Sequence, residues 1–135
     1  MRVAVIDGQG GGIGKSIIEK IKEECGDEIC IIALGTNALA TSTMLRAGAD
    51  LGATGENAIK HNIQDVDYIL GTMGILVPNA MLGELSPAMA EAIGSAKARK
   101  IILPYQKCNV YVVGTNNEPL QRQIEELVSM LNSYR

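Results

Sequence analysis

Tryptophan and phenylalanine are absent, and four tyrosines are the only aromatic residues among 135, so no aromatic cluster can fill the core. The interior must come from Ile, Val, Leu, Ala and Met, in a chain that is 47% hydrophobic; this suits a layered α/β protein. There is a single histidine, His61, and it has no Cys or His companion at ligand spacing, so the zinc patterns are missing and no metal is expected. Cysteine is sparse and odd in number. Cys25 ends an apolar helical face, Cys30 lies within a strand and Cys108 stands apart, which reads as reduced thiols rather than a disulfide frame. Dense basic runs are lacking and the net charge is −3, which argues against nucleic acid or an anionic membrane surface as a partner. No apolar run approaches the ~20 residues of a membrane span. The chain opens on a strand pattern rather than a signal peptide, so a cytoplasmic protein is expected. Its length predicts one domain, residues 1–135, burying roughly two-thirds of the surface of the unfolded chain.

Glycine is what the chain has in excess, and it is concentrated. Five of the fifteen glycines fall in Asp7-Gly8-Gln9-Gly10-Gly11-Gly12-Ile13-Gly14-Lys15-Ser16. Before this stretch, Val3-Ala4-Val5-Ile6 reads as a strand buried on both faces; after it, Ile13, Ile17, Ile18, Ile21 and Cys25 recur at helical spacing. The glycines therefore form a strand-to-helix turn, where the backbone can approach a ligand and where the helix N-terminus favours an anion. A phosphate-bearing ligand is the expected partner. The pattern G-x-G-x-x-G needs glycine where Ile13 stands. The pattern G-x-x-x-G-x-G fits Gly8, Gly12 and Gly14, whereas a Walker A loop matches only at Gly14, Lys15 and Ser16, its first glycine falling on Gln9. Gly12 is expected to lie so close to phosphate or helix that a methyl group is excluded.

Further along, residues 29–34 read as a second buried strand ended by Gly35-Thr36-Asn37, and residues 38–47 as a short helix stopped by Gly48. Residues 50–62 contain a polar, glycine-rich turn and a short helix through Ile59 and Ile63. Strand three, residues 68–70, runs into Thr72-Met73 and a long apolar loop to Ser86, which is expected to cover a cavity or a subunit interface. Ser86-Pro87 then caps a helix over 88–99. Strand four is 101–103 and strand five 110–113. The six residues between them are too few for a parallel crossover, so strand five is expected as an antiparallel edge. Leu120, Ile124, Leu127, Val128 and Leu131 mark a final amphipathic helix. The expected fold is a three-layer α/β/α, Rossmann-like domain with a mostly parallel five-stranded sheet. Counted in these strands, the preferred order is two-one-three-four-five and the competing order three-two-one-four. The carboxyl ends of the parallel strands would then form one rim carrying the glycine loop, Thr36, Asn37, Thr72 and Met73, with Thr115 on the opposite rim.

The opening segment, with its Asp-Gly-Gln-Gly-Gly-Gly-Ile-Gly-Lys core, resembles a family of short bacterial proteins that carries only a "domain of unknown function" label. That resemblance implies a small Rossmann-like domain and supplies no catalytic residue. The turn is also similar to that of short-chain dehydrogenases, as is Asp65-Val66-Asp67-Tyr68-Ile69-Leu70-Gly71, but no Tyr-x-x-x-Lys pair follows. NAD or NADP is the implied cofactor. Yet the second strand ends in Leu34, Gly35, Thr36 and Asn37, without the acid or arginine of a ribose site, which leaves Asn37 as the ribose partner. The leading expectation is a binding or sensory domain, homodimeric, that holds an NAD-like dinucleotide or adenine nucleotide through Asp7, Gly8, Gln9, Gly10, Gly11, Gly12, Ile13 and Gly14, without chemistry of its own. The alternative is a small NAD(P)-dependent oxidoreductase or P-loop-like nucleotide hydrolase in which Lys15, Ser16, Asp7 or Thr72 takes part. Lys15 is expected to pair with Glu19 on the surface of the first helix.

Overall fold

The structure is a computed structural model, and it describes residues 1–104, 109–115 and 117–135. The chain alternates strand and helix: β1 Arg2–Asp7, α1 Gly12–Cys25, β2 Cys30–Gly35, α2 Ala38–Arg46, β3 Leu51–Thr54, α3 Glu56–Asn62, β4 Tyr68–Thr72, α4 Pro87–Ser95, β5 Arg99–Leu103 and α5 Leu120–Ser133. The five strands form one sheet in the order β3-β2-β1-β4-β5. Every pairing is parallel: Val3 of β1 lies opposite Ile31 of β2 and Tyr68 of β4, Gly35 opposite Thr54, and Tyr68 opposite Arg99.

Strands buried on both faces need apolar residues at every position, and β1, β2 and β4 supply them. Val3, Val5, Ile31, Ala33 and Leu70 face α1, α2 and α5, whose Ile17, Ile18, Ile21, Met44, Ile124, Leu127, Val128 and Leu131 complete one core. Ala4, Ile6, Ile32, Leu34 and Ile69 face the other way, onto Ile59 of α3 and Met89 and Ile93 of α4. The result is three layers. Ser86 Oγ accepts the Met89 amide at 3.1 Å with Pro87 in the first turn, the cap read from the sequence.

Two expectations about the sheet are overturned. The fifth strand is β3, at the opposite edge from the one expected, and among the described residues no strand runs antiparallel. Residues 110–113 stay outside the sheet: Val113 is 99% exposed, and the backbone turns back so that the Thr115 amide reaches Val112 O at 3.4 Å. Six residues are too few for a parallel crossover, and residues 110–113 pair with no strand among the described residues. β3 escapes a pattern reading because Leu-Gly-Ala-Thr is short and largely exposed, Leu51 being 54% accessible. The preferred order of the other four strands, β2-β1-β4-β5, is observed, and β3 extends it to the doubly wound order 3-2-1-4-5, whose crevice opens at the carboxyl ends of β1 and β4.

Candidate functional site

β1 ends at Asp7 and delivers the chain to the crevice. The Asp7 side chain is buried, and its carboxylate turns back on the loop, accepting the Gly8 amide at 2.8 Å and the Gly14 amide at 2.7 Å, with the Ile13 amide also directed at it. Burial pushes this carboxyl group up from its ordinary value; the amides oppose the shift, and the Glu84 charge adds to it. Asp7 thus satisfies donors of the α1 N-terminus from inside the protein.

The glycines divide into two sets. A Cβ on Gly8 would lie 2.5 Å from Thr36 Oγ1 and 2.6 Å from Met81 Sδ, and one on Gly14 would lie 2.5 Å from Met44 Sδ. Gly11 combines a left-handed φ of 74° with a Cβ position 2.9 Å from the backbone of Ala40. All three are closely packed, Gly11 against backbone and Gly8 and Gly14 against side chains. A Cβ on Gly10 or Gly12 would meet nothing within 4 Å from the elements packed around the loop. The Gly11 amide bonds Gly8 O at 2.9 Å, whereas the amides of Gly10 and Gly12 meet no acceptor among the described residues.

At the end of β2, Asn37 is fully engaged. Its Oδ1 accepts the Ala40 amide at 2.8 Å, capping α2, and its Nδ2 donates to Gln9 O at 2.9 Å and to Glu84 Oε1 at 2.8 Å. The same Oε1 accepts Thr36 Oγ1 at 2.7 Å and the Gln9 amide at 2.8 Å. Glu84 was not among the residues singled out from the sequence, though it is the one charged residue in the apolar stretch 75–85. The Gln9 amide, then Thr36 and Asn37, hold its carboxyl group below the ordinary value against the opposing effect of partial burial.

Glu84 arrives on the segment that follows β4. Thr72 is buried, its Oγ1 accepting the Gly74 amide at 3.3 Å to cap the 3-10 turn Met73–Leu76. The chain then winds through Asn79, Met81 and Leu82 with φ of 65°, 58° and 56°, left-handed conformations that cost a non-glycine residue roughly 1–2 kcal/mol each. Ile75 and Leu85 anchor its ends in the core, and Met81 lies over Gly8. The long apolar loop therefore covers the glycine turn, and strain of this kind concentrates at functional segments.

The remaining candidates lie elsewhere. Met73 lines a separate groove with Leu103, Pro104 and Thr115; Thr115 thus comes to the rim from which the expected antiparallel strand would have removed it. Ser16 Oγ is bonded to Gly12 O at 3.1 Å. Lys15 is exposed and does not pair with Glu19; the helix ion pair forms between Lys20 and Glu24 at 3.2 Å. Asp67 accepts the Arg2 amide at the amino end of the sheet, remote from the loop. Among the described residues no group of three or more His, Cys, Asp and Glu could hold a metal ion, and no helix is long and apolar enough to cross a membrane. Cys25 and Cys30 are free thiols, and Cys108 lies outside the described residues.

The fold is similar to that of apo histidine-tagged saccharopine dehydrogenase (L-Glu forming) from Saccharomyces cerevisiae, with a TM-score of 0.50 and 14% identity over 93% of this chain and 24% of that one. The chain thus spans about a quarter of that enzyme's length. A dodecameric FMN-dependent UbiX-like decarboxylase from Escherichia coli O157:H7 matches at a TM-score of 0.47 and 10% identity, covering 98% of this chain and 76% of its own. Such identities speak to the fold alone. No curated protein matches the chain at a significant level. The model of the family described as domain of unknown function (DUF3842) matches residues 2–135, so the chain belongs to that family.

Proposed function

We propose that this member of the DUF3842 family is a nucleotide-binding domain, formed by residues 1–135, that holds an NAD-like dinucleotide or an adenine nucleotide without chemistry of its own. The observation that carries this reading is the division of the glycine loop. Gly8, Gly11 and Gly14 are consumed by packing, while Gly10 and Gly12 keep open faces and amides without a described acceptor at the crevice. Two amides beside a helix N-terminus favour a phosphate oxygen. Asp7 supports the geometry by spending its charge on neighbouring amides rather than presenting it to the ligand.

Nothing favours catalysis to the same degree. The Ser16 hydroxyl is bonded to its own helix, and Thr72 is spent as a cap. A homodimer belongs to the same reading, supported by Leu82, 96% exposed at the tip of the covering loop. Titration with NAD, NADP, ATP and GTP, followed by calorimetry and product analysis, tests it. Saturable binding without turnover is expected. Hydrolysis that disappears in Lys15→Ala would replace the reading with a hydrolase, and no binding to any of the four would end it. Sedimentation at micromolar concentration should show a dimer, and a monomer-sized particle removes that part.

A further inference from the structure

We propose that Glu84 determines specificity at the nucleotide site, accepting the free 2′,3′-hydroxyls of a ribose and rejecting a 2′-phosphate. This rests on the nucleotide-binding reading above. In a sheet of this order the nucleoside half of a ligand lies beside the end of β2, where an acidic side chain ordinarily takes the ribose hydroxyls, or an arginine the additional phosphate. Neither stands there. Thr36 and Asn37 hold Glu84 Oε1 in that place instead, and the Gln9 amide ties the same oxygen to the glycine turn.

The arrangement leaves the carboxylate half used. Three donors converge on Oε1, while Oε2 meets no donor among the described residues, so one oxygen keeps its acceptor capacity. A ribose hydroxyl can donate to it. A phosphate there brings charge of the same sign against a carboxylate that is paired with no lysine or arginine among the described residues. Asn37 has both ends of its amide committed and is a positioning residue for Glu84 rather than the ribose partner expected from sequence.

Isothermal titration of the full chain with NAD and with NADP, in the parent protein, Glu84→Gln and Glu84→Asp, tests the inference. The parent should prefer NAD by at least about tenfold, the worth of a hydrogen bond to a charged group. Glu84→Gln, which keeps shape but not charge, should lose that preference, mostly through weaker NAD binding. Glu84→Asp, which keeps the charge, should still discriminate against NADP; circular dichroism melts show whether each variant is folded. If Glu84→Gln binds both ligands more tightly to the same degree, the carboxylate merely occupies space that the ligand must clear, and the inference is overturned. An unchanged ratio overturns it too and leaves nucleotide binding intact. A parent protein that binds neither ligand overturns the nucleotide reading and this inference together.

Discussion

Among the loop glycines, the sequence pattern marks where backbone freedom is concentrated but not which residue uses it. The left-handed turn and the contact with Ala40 belong to Gly11, between two glycines of the same motif that stay open. The reason is that crowding comes from α2, an element remote from the motif. Gly11→Ala should therefore lower stability by about 2–4 kcal/mol, combining a left-handed penalty with a collision against backbone. Gly12→Ala should leave urea-denaturation stability within about 1 kcal/mol of the parent, since it adds a helix former to open space. Charge at this scale makes opposite contributions. The Glu84 carboxyl is held below its ordinary value of 4.5, so its contribution is present above that pH and is lost as the pH falls through the folded value. The Asp7 carboxyl is raised above 3.8, so its penalty is absent below that pH and grows as the pH rises through its folded value. Denaturation midpoints measured on acidification below pH 4.5 should fall less steeply in Glu84→Gln than in the parent. An equal fall in both would show that Glu84 gains nothing from the Gln9 amide.

The elements that bury both faces were readable, because an uninterrupted apolar run leaves few alternatives: β1, β2, β4 and the stripe of α5 lie where periodicity put them. The edges were not. β3 has almost no apolar signal, and it is held by hydrogen bonds from α2 that no local pattern encodes. Thr41 Oγ1 lies 2.7 Å from Thr54 Oγ1 and 3.3 Å from Ala53 O, and a Cβ on Gly52 would lie 2.8 Å from Leu45. Residues 110–113 fail in the converse way, having β-branched composition but no pairing strand among the described residues. Thr41→Val keeps the shape and removes the hydroxyl, so it should cost about 1–2 kcal/mol. Its specific signature is faster amide exchange at Ala53, Thr54 and Gly55 while β1 and β4 remain protected. Uniform loss of protection would mean that α2 is destabilised rather than the edge.

At the scale of the molecule, the rim of the crevice was legible from strand direction alone, since parallel strands put every carboxyl end on one side. Its roof was legible only as an apolar loop too long to be idle. That Glu84 would cross to Gln9, 75 residues away in sequence, follows from the β1–β4 pairing and the left-handed turns at Met81 and Leu82, which a linear pattern does not carry. Sheet, loop and glycine turn therefore meet at one place, and a ligand bound there is held only by the folded chain. Such a ligand at 100 times its dissociation constant stabilises the fold by about 2.7 kcal/mol. With an unfolding entropy of about 2.1 cal/mol/K per residue, that corresponds to a rise in melting temperature of about 9 °C for a chain of this length. NAD should produce a shift of this size, growing with the logarithm of its concentration. Gly12→Val, which sends a branched side chain into the space beside the two open amides, should melt close to the parent without ligand and show almost no shift with it. An undiminished shift in Gly12→Val would place the nucleotide away from the glycine turn, because a Cβ at this position disturbs no packing contact that could explain a lost shift in another way.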